Sequence, residues 1–486
     1  VKHEPTAEQR EIIQAFKGTR DNILVNALAG AAKTTTLEMV CEAVTGIPIL
    51  SIAFNVRIKE AMEKKLPAHV VCKTINGVGH GAWAGRLNKR LVVTKDKNYN
   101  LLREEIEKLP AKRKDNAWRD FADTLAAVRR AKTVGYIPDG AFKDIKRVIE
   151  TSTFVESFED EPDMQLVDDV MLRSIKQAFD GQIDYDDQIY MPTLFGGKFP
   201  TFPLNLVDEA QDFNALNILL LQKLVGDRRI GGVGDRHQSI YAFRGALTRS
   251  MEVLRDTFSM PEMTLSTSFR CPIKVVELAR KHAPNMQYPS WAKLGDVTRL
   301  GEWSASDIAD NAAIICRNNA PLMKLAYRLL SEGRGVKVVG TDLGPQLVRA
   351  FKKFGDTSMT QSQLLAAIDQ WEHDHAARGK DTVADKAQCL RVFAEFGPNM
   401  GAAIAYIEKI FNAGGTIELL SGHKAKGGEW EKVYHLDSFL VPSRYAETDE
   451  EKQQEDNLEY VVTTRSKDKL TFINSADMKG NNGNAS

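Results

Sequence analysis

The sequence is short of several things that would have narrowed its function at once. It has no net charge, since 65 Lys and Arg balance 65 Asp and Glu over 486 residues. Coating nucleic acid by bulk charge is thereby disfavoured, whereas a local basic track is not, because affinity follows the phosphates actually contacted. No apolar run approaches the roughly 18 residues that cross a bilayer, so no membrane partner is expected. The opening VKHEPTAEQR lacks the basic-then-apolar pattern of a secretory signal. Cysteine is sparse: Cys41, Cys72, Cys271, Cys316 and Cys389 form no CxxC pair, which argues against a disulfide framework or a zinc site. These absences describe a reduced, cytoplasmic protein. The length leaves room for two or three domains of roughly 100–200 residues each.

What is present begins with a rhythm. Residues 22–26 (NILVN) form a short apolar run of the kind found in buried parallel strands. A small-residue loop follows, then a helix from Lys33 to Val44, a strand at Ile47–Ala53 and a helix at Val56–Leu66. This βαβ order predicts a parallel sheet. After residue 82 the chain turns charged and helical, and sheet-type sequence resumes at Leu204–Val207. A second α/β unit is expected from Met263, with strands at 313–316, 336–339, 417–420, 433–436 and 470–473. The expected domains are therefore 1–82 with 196–262, a helical insertion at 83–195, a second domain at 263–354 with 416–475, and a small helical insertion at 355–415. The polar end, 476–486, is expected to be disordered.

Chemistry is concentrated at strand ends. ALAGAAKTTT (27–36) follows one strand and opens a helix. Backbone N–H groups at such a start favour anions, and small residues let a phosphate approach. Lys33 would reach the outer phosphates and the Thr34 hydroxyl would bind Mg²⁺. The strict pattern, GxxxxGK followed by Ser or Thr, wants glycine at 27 and 32, and both are alanine. An alanine held at positive φ costs about 1–2 kcal/mol. LVDEAQD (206–212) places two acids after an apolar strand. Asp208 suits Mg²⁺, and Glu209 suits orienting and deprotonating an attacking water. VGDRHQSIYAFRGA (233–246) follows another strand. In it Gln238 could sense a terminal phosphate, while Tyr241, Phe243 and Arg244 offer the aromatic and cationic surfaces on which bases stack. The basic clusters at 112–114 and Arg129, Arg130 and Lys132 read first as solvated helix faces and second as phosphate contacts.

These segments resemble motifs of the UvrD/Rep-type superfamily 1 helicases. Asp208-Glu209-Ala210-Gln211-Asp212 resembles motif II, and Gly234-Asp235 with Gln238 to Ala246 resembles motif III. The other motifs follow in family order. Thr6 to Gln9 resembles the Q motif, implying that Gln9 reads adenine. Phe54-Asn55 and Thr74-Ile75-Asn76 resemble the strand-contacting motifs Ia and Ib. Ser268-Phe269-Arg270 resembles motif IV, implying that Phe269 stacks on adenine and Arg270 is an arginine finger. Gly422 to Trp430 resembles motif V, with Glu429 near the nucleotide and His423 and Lys424 facing the strand. Tyr460 to Ser466 resembles motif VI, with Arg465 the second finger. The resemblance spans 5–473. It implies two RecA-like parallel-sheet P-loop domains in tandem, each with a mainly helical insertion. ATP and Mg²⁺ are the implied cofactors, with the phosphates on Ala29, Gly30, Ala31, Ala32, Lys33, Thr34 and Thr35.

The implied activity is ATP-dependent unwinding of DNA, moving 3′→5′ on a single strand as two domains open and close. Single-stranded DNA and single-strand/duplex junctions are the expected partners, with replication or repair proteins, for a monomer in a bacterial or phage-infected cytoplasm. Gly428 stands where the family often has leucine, and only about 60 residues, 355–415, replace a larger regulatory subdomain. That reduction keeps a rival reading in view, a translocase that strips proteins from DNA without efficient unwinding. The alanines of the loop suggest a further rival, a binding module with a decayed ATPase.

Overall fold

The computed structural model describes residues 4–53, 55–158, 162–241, 247, 249–340, 343–375 and 380–479. They form two compact units, 1–27 with 32–265 and 28–31 with 266–486. The strands in chain order are β1 (Ile23–Ala27), β2 (Ile49–Ala53), β3 (Val70–Thr74), β4 (Val92–Val93), β5 (Gln182–Ile183), β6 (Leu204–Val207), β7 (Arg229–Gly234), β8 (Glu262–Leu265), β9 (Asp296–Arg299), β10 (Ala313–Cys316), β11 (Val336–Val338), β12 (Ile417–Ser421), β13 (Trp430–Leu436) and β14 (Ser466–Ile473).

In the first unit the sheet order is β3-β2-β6-β7-β1-β8, and every pairing is parallel. Parallel strands covered on both faces need near-continuous apolar sequence, and β1 and β2 are buried at all five positions. One face is closed by a core that includes Leu50, Ile52, Val207, Leu220, Leu221 and Ile230. On β7 the glycines have a packing reason. A Cβ on Gly231 would lie 2.5 Å from the Phe16 ring, so the helix Ala7–Gly18 can lie close only over a bare backbone. Because all six strands run the same way, the chain leaves β1, β6 and β7 at one edge of the sheet, which is where open α/β sheets bind ligands.

The second unit repeats the plan with the order β11-β12-β10-β13-β14-β9, again all parallel. The expected fold class, two parallel-sheet RecA-like domains, is therefore present. Helices Gln361–His375, Lys380–Glu395 and Met400–Phe411 make up the small insertion. They share one continuous core with β10 and β12, joining Leu364, Ile368, Leu390 and Phe393 to Ile314 and Leu419.

Four details correct the sequence reading. Glu262–Leu265 pairs in parallel with β1 and completes the first sheet, so the second unit starts after it rather than at Met263. Short β9 and the pair β4–β5 went unread. Residues 476–479, part of the end expected to be disordered, carry structure, since Ser475–Asp477 forms a 3₁₀ turn and Met478 bridges to Trp303. Lys132, read as surface, is fully buried in the first insertion. Its ammonium binds Asp184 and Asp187 at 2.6 and 2.7 Å, and Lys97 binds Asp187 at 2.6 Å. Burial alone would neutralise Lys132, but the two carboxylates outweigh it and raise its pKa.

Candidate nucleotide site

The loop after β1 turns in two steps. Gly30 has φ +75, and Ala32 has φ 56 and ψ 43, in the left-handed region. Ala27, the other position where the strict pattern wants glycine, is the last residue of a regular strand. The alanine substitution is thus strained at 32 and free of strain at 27. Lys33 then opens the helix Lys33–Ala43. Thr36, one turn in, donates to the Ala32 carbonyl at 3.0 Å.

The acidic pair follows β6. Asp208 is anchored by its N–H to the Ile52 carbonyl at 3.1 Å. Glu209 takes φ 55, also left-handed, and its N–H donates to Asp208 Oδ1 at 2.8 Å. A side chain so held is costly, and such strain clusters where geometry matters more than stability. The two strand ends meet through side chains. Lys33 Nζ lies 3.1 Å from Glu209 Oε2, and Thr34 Oγ1 donates to Asp208 Oδ2 at 3.3 Å.

Electrostatics set the protonation states. Burial, with Glu209 beside it, pushes the Asp208 carboxyl up to about 7, although Lys33 pulls the other way. Burial also works against the charge on Lys33, but Glu209, Asp235 and Asp208 outweigh it and its pKa is raised. Thr34 and Asp208 bring two hard oxygen donors together at the start of a helix, a donor set that fits Mg²⁺.

Two residues without an assigned role connect the pair to the next strand end. Gln211 is fully buried. Its Nε2 donates to Glu209 Oε2 at 2.5 Å, and its Oε1 accepts from the Asp235 N–H at 3.0 Å. Asp235 in turn accepts from Gln238 Nε2 at 2.6 Å. A chain of hydrogen bonds therefore runs from Lys33 through Glu209, Gln211 and Asp235 to Gln238. The signal that could have found it was position: Gln211 and Asp235 both lie just beyond strands whose neighbours carry the chemistry.

Other expected residues hold local structure. Gln9 is buried, forms a capping box with Thr6, and donates to Thr36 Oγ1 at 3.0 Å. Asn55 and Thr74 are N-caps, accepting from Ile58 and Gly77. Asn76 Nδ2 donates to the Tyr185 carbonyl at 3.0 Å. Tyr241 is half-buried, and Thr35 is exposed. Phe54, Phe243 and Arg244 lie outside the described residues.

In the second unit, Leu28–Ala31 packs with residues from 266 onward. The Ala29 N–H donates to Tyr460 Oη at 2.8 Å, and the Gly30 carbonyl accepts from the Phe269 N–H at 2.9 Å. Ala31 is buried in the same turn. Arg270 Nε pairs with Glu429 Oε2 at 2.7 Å. Arg465 is 1% exposed, and its guanidinium donates to the Val461 and Gly428 carbonyls at 2.8 and 3.2 Å. It clasps motifs V and VI together. His423 is half-buried and Lys424 exposed on the turn after β12.

Comparison with known proteins identifies two family domains. Residues 54–259 match the UvrD/REP helicase N-terminal domain, and residues 402–477 match the UvrD-like helicase C-terminal domain. The chain is similar to F-box DNA helicase protein 1 of Schizosaccharomyces pombe, at 24% identity over 96% of this chain and 57% of that protein. It is similar also to F-box DNA helicase 1 of Gallus gallus, at 22% identity over 97% of this chain and 49% of that protein. A segment covering 20% of this chain and 16% of the relative is 33% identical to the ATP-dependent DNA helicase Rep of Escherichia coli. The chain spans about half the length of the two F-box relatives. These relatives come from a fungus, a bird and a bacterium, and do not single out the bacterial setting expected from the sequence. Among the described residues no helix is long and apolar enough to cross a membrane.

Proposed function

The chain belongs to the UvrD/Rep-type superfamily 1 helicases, and we propose that it is an ATP-dependent DNA helicase moving 3′→5′ along a single strand. The observation that carries the reading is the meeting of two strand ends, Lys33 on Glu209 and Thr34 on Asp208. A lysine for the outer phosphates, two oxygens for Mg²⁺ and a carboxylate for the attacking water are what phosphoryl transfer requires. Mg²⁺ on Thr34 and Asp208 would neutralise charge on the phosphate oxygens. Glu209 would orient the water. Gln238, set by Asp235, would report the terminal phosphate back through Gln211.

Positive charge for the transition state would come from Arg270, with Arg465 as a second source; a finger of this kind contributes roughly 10³–10⁵ in rate. Those arginines belong to one unit and Lys33, Asp208 and Glu209 to the other. Hydrolysis that needs both sets would tie turnover to movement of one unit against the other. Tyr241, Phe243, Arg244, Phe54, Asn55, Thr74, Asn76, His423 and Lys424 are proposed to face the strand, where stacking is tolerant of sequence.

The test is unwinding of 3′-tailed against 5′-tailed duplex by the purified chain, beside its Lys33→Ala variant. Unwinding of the 3′-tailed substrate alone, lost in the variant, is expected. Preference for the 5′ tail would overturn the polarity. Strand-stimulated hydrolysis with no unwinding would favour the translocase, a reading supported by the small second insertion of three helices. Turnover that survives Lys33→Ala would remove the site itself.

A further inference from the structure

Two aromatic side chains of the second unit stand side by side in solvent. Phe269 is 37% exposed and Trp291 67% exposed. Their ring centroids are 6.2 Å apart and their planes lie 26° from parallel. The resemblance gave a base-stacking role to Phe269 alone. Leaving a large indole in water forgoes the burial that usually places tryptophan in a core or an interface.

The backbone that presents Trp291 is firmly built. Its turn is closed by the Ala292 N–H on the Pro289 carbonyl at 2.9 Å. The carbonyls of Lys293 and Leu294 accept from the N–H groups of Ile273 and Lys274 at 2.9 and 3.1 Å. Those donors belong to the first turn of helix Ile273–Ala279, whose amides have no partner within the helix. Gly295, at φ +67, ends the loop where a Cβ would fall 2.4 Å from the Pro272 Cβ. On the other side, the Ser268 N–H donates to the Gln287 carbonyl and the Gln287 N–H to the Ser266 carbonyl, both at 2.9 Å. This bridge holds the two ring-bearing segments at a fixed spacing. Phe269 is itself tied to the phosphate loop, its N–H donating to the Gly30 carbonyl at 2.9 Å.

We infer that Trp291 is a second aromatic surface for the purine base of the nucleotide, acting with Phe269. A flat heteroaromatic ring is what two near-parallel rings recognise, and the phosphate loop bonded to Phe269 would take the phosphates such a ring carries. The inference rests on the reading that Phe269 meets the base. Bases of a single strand would stack on the same rings, but the bond from Phe269 to Gly30 favours the nucleotide, because it sets the rings next to the loop proposed to hold the phosphates.

Calorimetric titration of the full chain with ADP, inorganic tripolyphosphate and a thymidine 16-mer separates the outcomes. Trp291→Ala is expected to weaken ADP about tenfold, in line with the loss of one stacking contact, and to leave tripolyphosphate unchanged. Trp291→Phe should recover most of the loss, which a merely structural role would not predict. Far-UV circular dichroism of Trp291→Leu, together with its tripolyphosphate affinity, guards against a folding defect. Unchanged ADP affinity in Trp291→Ala, or a loss confined to the oligonucleotide, overturns the inference. Phe269→Ala is the separate control: if it too leaves ADP unchanged, the base site assigned to Phe269 fails.

Discussion

Restoring the two glycines that the strict phosphate-loop pattern wants should have opposite effects on stability. Ala32 sits at φ 56 and ψ 43, which costs a residue with a Cβ about 1–2 kcal/mol. Glycine removes that strain but loosens the unfolded chain by about 0.4–1 kcal/mol. The net expectation for Ala32→Gly is stabilisation by about 0.5–1 kcal/mol. Ala27 is fully buried in the regular strand β1. Glycine there costs about 0.5–1 kcal/mol of backbone entropy, and about 0.8 kcal/mol more for the buried methyl. Ala27→Gly should therefore destabilise by about 1.5 kcal/mol. Urea unfolding followed by circular dichroism, at equal pH and salt, reads both. The transition that carries the first unit should move up for Ala32→Gly and down for Ala27→Gly. A neutral or lowered midpoint in Ala32→Gly would refute the assignment of strain to that residue. So would a raised midpoint in Ala27→Gly.

Three further outcomes are expected. Asp208 is protonated below its pKa of about 7, and a metal needs the carboxylate. Mg²⁺ binding should release a proton near pH 7 and weaken as pH falls towards 6; equal Mg²⁺ affinity at pH 6 and 8, by titration calorimetry in two buffers, would contradict this. Burial pushes the His435 imidazole down to about 4, so between about pH 6.5 and 4 the unfolded chain binds a proton that the folded one does not. Stability should fall over that window by up to about 3 kcal/mol, and His435→Leu should flatten the dependence seen in urea midpoints. Asp187→Asn should cost about 3–5 kcal/mol, because it leaves Lys97 and Lys132 buried with weakened compensation; an unchanged unfolding midpoint at pH 7 would show that the cluster is not fully desolvated.

The parts of the site that could be read from sequence are those whose signal is local. An apolar run ending in Lys-Thr or Asp-Glu marks a strand, its end and its chemistry together, which is why Lys33 and Asp208 were found. Pairing across the sheet is not local. Glu262–Leu265 looks like the start of something new, and only its register with β1 shows that it closes the first sheet. Asp296–Arg299 is polar and four residues long, too short for periodicity to show. Lys132 was misread for a related reason. Its partners Asp184 and Asp187 lie some 50 residues on, and a charge whose partner is distant looks the same in sequence as one that faces water. Gln9, Asn55 and Thr74 are motif letters, yet each takes part in a helix cap, Gln9 beside its bond to Thr36. A cap and a ligand contact ask for the same short polar side chains at the same strand-to-helix turns.

That overlap gives backbone strain particular weight in locating the site. Polar side chains at strand ends have structural uses, but a Cβ held at positive φ has a cost that nothing local repays. Several described residues other than glycine are so held, and Asn88 and Ser259 among them end helices, where the left-handed turn is an ordinary stop. Ala32 and Glu209 do not end helices. Each stands between a strand and the helical turn that follows it, 177 positions apart in the chain, and Lys33, the neighbour of the first, reaches the side chain of the second at 3.1 Å. Asp437 is held in the same way between β13 and the 3₁₀ turn Ser438–Leu440, so what sets Ala32 and Glu209 apart is that their two turns meet in one ion pair. Strain at Ala32 aims Lys33, and strain at Glu209 aims a carboxylate that Gln211 holds from the other side. The phosphate-handling reading thus draws support from backbone angles as well as from motif letters, and it would lose that support if glycine at 32 proved no more stable than alanine.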